Sequence, residues 1–137
     1  VNYLLHTNAR IALINGKPPG VRTKFQKATD AGAQVFVSSV ALSELWYGVA
    51  KSSSQEFNRR RLGTFLAGPF HLLHFDDSDA EHVGAIRADL ESTGKPIGAY
   101  GLLTAGQAMR SKLTLITANL SEFARIKALA WSDWGKP

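Results

Sequence analysis

Tyr3-Leu4-Leu5-His6-Thr7-Asn8-Ala9-Arg10-Ile11-Ala12-Leu13-Ile14 is the stretch that decides the fold. A short apolar run, three polar residues and an apolar segment of helical pattern read as a strand running directly into a helix. The same unit recurs. Val35-Phe36-Val37 is β-branched and aromatic, and Ser38 and Ser39 stand where a helix cap is needed. Leu42, Leu45, Trp46 and Val49 follow at spacings of three and four, which predicts one buried helix face. Leu72-Leu73-His74-Phe75 predicts a third strand ahead of an acidic helix start at residues 76–79, and residues 113–117 predict another before Ala118-Asn119 and a short helical segment over 121–125. Helices are also expected over 21–31, 56–66 and 97–111, the second of them buried on Phe57, Leu62, Phe65 and Leu66, and the chain closes in a tail carrying Trp131 and Trp134. Strands alternating with helices predict an α/β fold, a central parallel sheet of four to five strands flanked by helices on both faces, in one domain over residues 1–137.

The composition sets the outer limits. With 137 residues, 45% of them hydrophobic, roughly two thirds of the unfolded surface can be buried in one core, so neither a disulfide nor a structural metal is needed. There is no cysteine, which excludes thiol catalysis, disulfide scaffolds and iron–sulfur chemistry. No apolar run reaches the roughly eighteen residues of a membrane span, and residues 1–10 lack the order of a signal peptide. A cytoplasmic protein without a membrane partner is the expectation. Sixteen Lys and Arg against eleven Asp and Glu give a net charge of +5, which favours a polyanionic partner. Arg59, Arg60 and Arg61, with Arg110 and Lys112, are candidate phosphate contacts, a solvated helix face being the alternative. Residues 16–20 lack the P-loop pattern and no Gly-x-Ser-x-Gly elbow occurs, so nucleotide hydrolysis and acyl transfer have no support.

In parallel sheets ligands bind at the carboxyl ends of the strands. That rule selects His6-Thr7-Asn8, residues 38–44 and residues 117–122, and predicts that the three stretches converge. Glu44 has Val40, Ala41, Tyr47 and Gly48 as helical neighbours, a partly small face suited to aiming a carboxylate into a cleft, a solvent-facing helix glutamate being the alternative. Asn119 follows a strand and could equally serve as a turn or cap residue. His71, His74 and His82 form no metal pair on one helix and read as surface or edge residues.

Taken in order, Leu4-Leu5-His6-Thr7-Asn8, Ser38-Ser39-Val40 through Ser43-Glu44-Leu45 with Tyr47-Gly48, Lys95-Pro96-Ile97-Gly98-Ala99-Tyr100, Ala105-Gly106, Leu115-Ile116-Thr117-Ala118-Asn119 with Glu122-Phe123, and Trp131-Ser132-Asp133-Trp134 resemble the PIN-domain ribonucleases, and within them the VapC-like toxins of bacterial toxin–antitoxin pairs. The resemblance implies an Mg²⁺- or Mn²⁺-dependent endoribonuclease that cuts structured RNA, transfer RNA above all. It also implies a homodimer and a VapB-like antitoxin whose tail covers an acidic cleft and through which operator DNA is reached. Magnesium is a hard ion that binds through a few carboxylates and keeps several waters, and once held it lowers the pKa of an attacking water.

The sequence departs from the family pattern at two acidic positions. His6 stands where the family has Asp at the end of the first strand, and Gly101 stands where it has Asp after the Pro-Ile-Gly turn. Glu44 matches, Asn119 matches a position that accepts Asp or Asn, and Glu122 follows as the nearby acid. The resemblance therefore assigns Glu44, Asn119 and Glu122 as catalytic, and positions 6, 44, 101 and 119 as the metal site. Thr7, Asn8 and Ser39 support its loops. Imidazole is a poor Mg²⁺ ligand and glycine supplies none, so impaired cutting is expected. A silent binding module that dimerises and sequesters antitoxin is the rival reading, and a site retuned to a transition metal through His6, Glu44 and Asn119 is a third. Glycine one turn into a helix costs about 1 kcal/mol against alanine, which points to a larger residue having once stood at 101.

Overall fold

Leu4 and Leu5 are both fully buried, yet they belong to different cores, because successive side chains on a strand face opposite sides of the sheet. In the computed structural model, which describes residues 1–136, β1 (Tyr3–Leu5) lies at the centre of a five-stranded parallel sheet. With β2 (Val35–Ser38), β3 (His71–Leu73), β4 (Thr114–Ile116) and β5 (Trp131–Ser132) the order is β3-β2-β1-β4-β5. Leu4 pairs in register with Phe36 and Leu115, and Leu5 with Val37 and Ile116. One face packs Leu4 and Leu115 against Ile86, Leu90, Ala105 and Phe123, the other packs Leu5 and Ile116 against Ala9, Leu13, Val21 and Trp134. Each fully buried side chain of this kind contributes about 1.5–3 kcal/mol.

The helices follow the strands as expected. They are α1 (Thr7–Asn15), α2 (Pro19–Asp30), α3 (Ser39–Lys51), α4 (Gln55–Leu66), α5 (Asp77–Ser92), α6 (Ala99–Arg110) and the short α7 (Leu120–Phe123). Gly16 takes φ +75° to close α1 in the left-handed conformation, and the Ser38 hydroxyl accepts from the Val40 amide to cap α3. Asp76 and Asp79 form a reciprocal capping box at the start of α5. The chain leaves β1 toward β2 and β3 and returns on the other side as β4 and β5. Strand order therefore reverses at β1, the position where open α/β sheets leave a crevice.

Three expectations need correction. Trp46 is 37% exposed and Phe57 56% exposed, so neither belongs to the core; α3 buries Val49 as expected, together with Ala41, and of the α4 residues Leu62 is buried while Phe65 packs partly buried against the core. Both aromatics lie against arginines, Arg59 over Trp46 and Arg61 over Phe57. Helix α6 begins at Ala99, with Gly98 outside it as the N-cap residue. The tail, to which no strand was assigned, supplies β5 by pairing Trp131 and Ser132 with Leu115 and Ile116.

Gly106 lets α6 lie close against α5. A Cβ there would lie 2.3 Å from Val83 Cγ2 and 3.2 Å from the Asp79 carbonyl oxygen on α5. Gly106→Ala is expected to lower unfolding stability by about 1–3 kcal/mol in urea titration, as overpacking does. An unchanged midpoint would show that α5 and α6 can separate at no cost.

Candidate functional site

The three strand ends converge. Thr117, fully buried at the end of β4, is the hub: its Oγ1 accepts from Asn8 Nδ2 at 3.4 Å and from the Asn119 amide at 3.0 Å, and it lies 3.1 Å from His6 Nδ1. A hydroxyl has one proton and two lone pairs. With both lone pairs taken, the proton goes to His6 Nδ1, which makes His6 a neutral imidazole protonated at Nε2. Burial and then the nearby Arg10 charge act the same way, lowering the His6 pKa from 6.5 to about 4. The ring lies 5.0 Å from that of Phe123, nearly perpendicular to it. Asn8 closes the loop by accepting from the Ala118 amide at 3.2 Å.

On the second side, Asn119 Nδ2 donates to Glu122 Oε2 at 3.0 Å and Asn119 Oδ1 accepts from Ser121 at 3.2 Å. Gly101 faces this pair: a Cβ built on it would sit 3.7 Å from Glu122 Oε2, 3.5 Å from Phe123 and 3.6 Å from Ile97, all ordinary contacts. Neither crowding nor a left-handed backbone requires glycine at 101. On the third side, Thr7 Oγ1 donates to Glu44 Oε1 at 3.5 Å and accepts from Arg10 Nη2 at 2.8 Å. Arg10 is wholly buried; burial pulls its pKa down from 12.5 to about 10, with the Glu44 charge working in the opposite direction, so it stays protonated at neutral pH. Glu44 opens onto a cleft of about 840 Å³ between α1, α3 and α4, where the exposed side chains of Ile11, Tyr47 and Tyr100 stand beside Lys51 and Arg61.

The other named residues lie elsewhere. Ser39 Oγ accepts from the Phe75 amide at 3.4 Å and ties α3 to the loop after β3. Arg61 donates to the Ile14 carbonyl and, at 2.8 Å, to Asn15 Oδ1, at the rim of the cleft, while Arg59 and Arg60 are exposed on α4. Arg110 pairs with Asp76 at 3.7 Å, nine residues or about 14 Å of helix from Gly101, and Lys112 follows it in the turn after α6. His71, His74 and His82 are exposed, as expected. Two contributors were not singled out from the sequence. Thr117 is one and Arg10 the other. Its place at the end of a buried strand, two residues before Asn119 and inside the stretch the strand-end rule selects, was the signal for the first, and nothing marked the second.

Residues 3–129 match the family model described as PIN domain. The chain belongs to the PIN-domain family. Within this PIN family it is VapC-like. It is 36% identical over 134 residues, 98% of each chain, to the tRNA(fMet)-specific endonuclease VapC of Salmonella typhimurium, and 34% identical with the same coverage to the ribonuclease VapC2 of Rickettsia felis. Among solved structures, the VapBC2 complex of Rickettsia felis bound to a DNA fragment from its promoter contains a chain of 33% identity with a TM-score of 0.91, covering 98% of this chain and 99% of that one. The DNA-bound VapBC of Salmonella typhimurium gives 36% identity and a TM-score of 0.89, with 98% of each chain covered.

The PIN family implies a divalent metal, and the residues present do not fit one. Among the described residues no group of three His, Asp or Glu side chains is placed to hold an ion. Position 101 has no side chain, His6 Nδ1 is occupied by Thr117, and Asn119 is engaged with Glu122 and Ser121. A buried guanidinium stands beside the remaining carboxylate on the α3 side. Mg²⁺ is held through one or two well-placed carboxylates and several waters, and a fixed positive charge beside such a carboxylate weakens its hold on the ion.

Proposed function

We propose that this chain is the VapC-type toxin partner of a VapB-like antitoxin, built on an endoribonuclease scaffold for structured RNA, with transfer RNA as the best candidate, whose metal-dependent cutting is impaired by His6 and Gly101. The observation that carries the impairment is the donor set: two of the family's carboxylate positions hold a side chain that is already satisfied and no side chain at all. The same observation favours the stronger form of this reading, a module that binds without cutting. The names of the relatives support the RNA class, and the complexes among the solved structures support the antitoxin.

The apolar cleft with Ile11, Tyr47 and Tyr100 around Glu44 and Arg61 suits an extended antitoxin segment. A homodimer, and operator DNA reached only through the antitoxin, complete the reading. Binding to RNA would rest on Arg59, Arg60 and Arg61 touching phosphates, so it falls with salt and is indifferent to chelator. The test is total transfer RNA, assayed for binding and for cleavage with Mg²⁺ or Mn²⁺ and with a chelator. Binding that weakens with salt, without chelator-sensitive cleavage, is the expected result. Chelator-sensitive cutting at the rate of an intact ribonuclease would contradict it.

A further inference from the structure

We propose that the Arg10 guanidinium is the resident counter-charge to Glu44, so that the cleft is neutralised from within and its structure needs no metal. This rests on the reading that the donor set holds no divalent ion. Arg10 has no exposed surface, and of its three guanidinium nitrogens Nη2 alone has a partner, Thr7 Oγ1 at 2.8 Å; Nε and Nη1 are buried without one. A wholly buried cation with two unpaired nitrogens is not a packing residue, because an apolar side chain of similar volume fills such a place without desolvating a charge.

Its surroundings supply one compensating charge. Thr7 accepts from Arg10 and donates to Glu44 Oε1, so a single hydroxyl at the start of α1 links the Arg10 charge to the carboxylate midway along α3. Arg10 lies one helical turn after His6, whose carbonyl accepts the Arg10 amide at 3.2 Å, and the neutral imidazole adds no second positive charge. The two ways of neutralising Glu44 make opposite predictions for its removal. In a cluster of carboxylates awaiting a metal, losing one relieves repulsion and stabilises the metal-free chain. In a cleft with its own cation, losing Glu44 strands Arg10.

The experiment is a double-mutant cycle on the full chain by urea unfolding, with Glu44→Gln, Arg10→Met and both together. Glu44→Gln is expected to lower the folding constant about tenfold in the wild-type background and less than about twofold beside Arg10→Met, the difference being the coupling of two charges in a partly desolvated site. Equal effects in the two backgrounds, or stabilisation by Glu44→Gln alone, overturn the proposal. Should Arg10→Met fail to fold, Arg10→Gln serves in its place. A Mn²⁺ titration gives the independent readout: removing the Arg10 charge is expected to raise Mn²⁺ affinity about tenfold. Unchanged affinity overturns the proposal. Tight Mn²⁺ binding by the wild-type chain overturns both this proposal and the preceding reading, whereas no Mn²⁺ binding together with no coupling overturns this one alone.

Discussion

His6→Asp, Gly101→Asp and Arg10→Met in one chain are expected to raise Mg²⁺-dependent cleavage of transfer RNA more than about a hundredfold above wild type, since even the loss of a group that only supports a metal ligand costs up to about that factor. The steric side is favourable. A side chain at 101 starts 3.7 Å from Glu122 Oε2 in open van der Waals contact, and position 6 sits at the end of the central strand between the Thr117 hub and Arg10. Restoring the two carboxylates without touching Arg10 is expected to give about tenfold less activity than the triple variant, because the guanidinium competes with the metal for the new aspartate. Gel assay of the same RNA with and without chelator reads all of this. A triple variant no more active than wild type would mean that something other than these positions silences the chain.

Acid unfolding carries the second large effect. Above pH 6.5 neither folded nor unfolded His6 holds an extra proton, and stability is independent of that residue. Between pH 6.5 and about 4 the unfolded chain takes up a proton that folded His6 refuses, so stability falls as pH falls. At about 1.4 kcal/mol per unit of pKa difference, the total comes to about 3 kcal/mol by pH 4. The groups facing the imidazole are the Thr117 hydroxyl, the Phe123 ring and the Arg10 cation, the last of which disfavours imidazolium. Asp76, whose carboxyl is held below the usual range chiefly by the Asp79 amide, adds its own loss only at lower pH. His6→Asn should flatten urea-derived stability across the upper window while leaving the lower one in place. An identical slope in both proteins would show that His6 is already free to protonate.

The centre of the sheet was legible because β1, β2 and β4 are largely buried, which leaves short β-branched or leucine runs such as Val35-Phe36-Val37 and Leu115-Ile116 standing out between polar turns. Strand β5 was not legible. It has two residues, and it exists because Trp131 and Ser132 find a register on β4 rather than through any local preference. Helical periodicity misled at Trp46 and Phe57, since an apolar stripe looks the same whether it faces a core or solvent. The convergence of His6, Glu44, Asn119 and Glu122 followed from the strand-end rule, and their order along the chain carried the family resemblance. Arg10 stayed invisible: arginine in a helix is ordinarily a surface residue, and only packing shows that this one has no surface.

Manganese binding to the wild-type chain, followed by the loss of free Mn²⁺ signal in electron paramagnetic resonance near neutral pH, tests the central claim most directly, with the His6→Asp, Gly101→Asp, Arg10→Met chain as the positive control. The wild-type chain should leave Mn²⁺ free up to about millimolar concentration, as a site that has lost two carboxylates and holds a fixed cation beside a third does, while the control binds one ion. One tightly bound Mn²⁺ in the wild type, lost on Glu44→Gln, would contradict it.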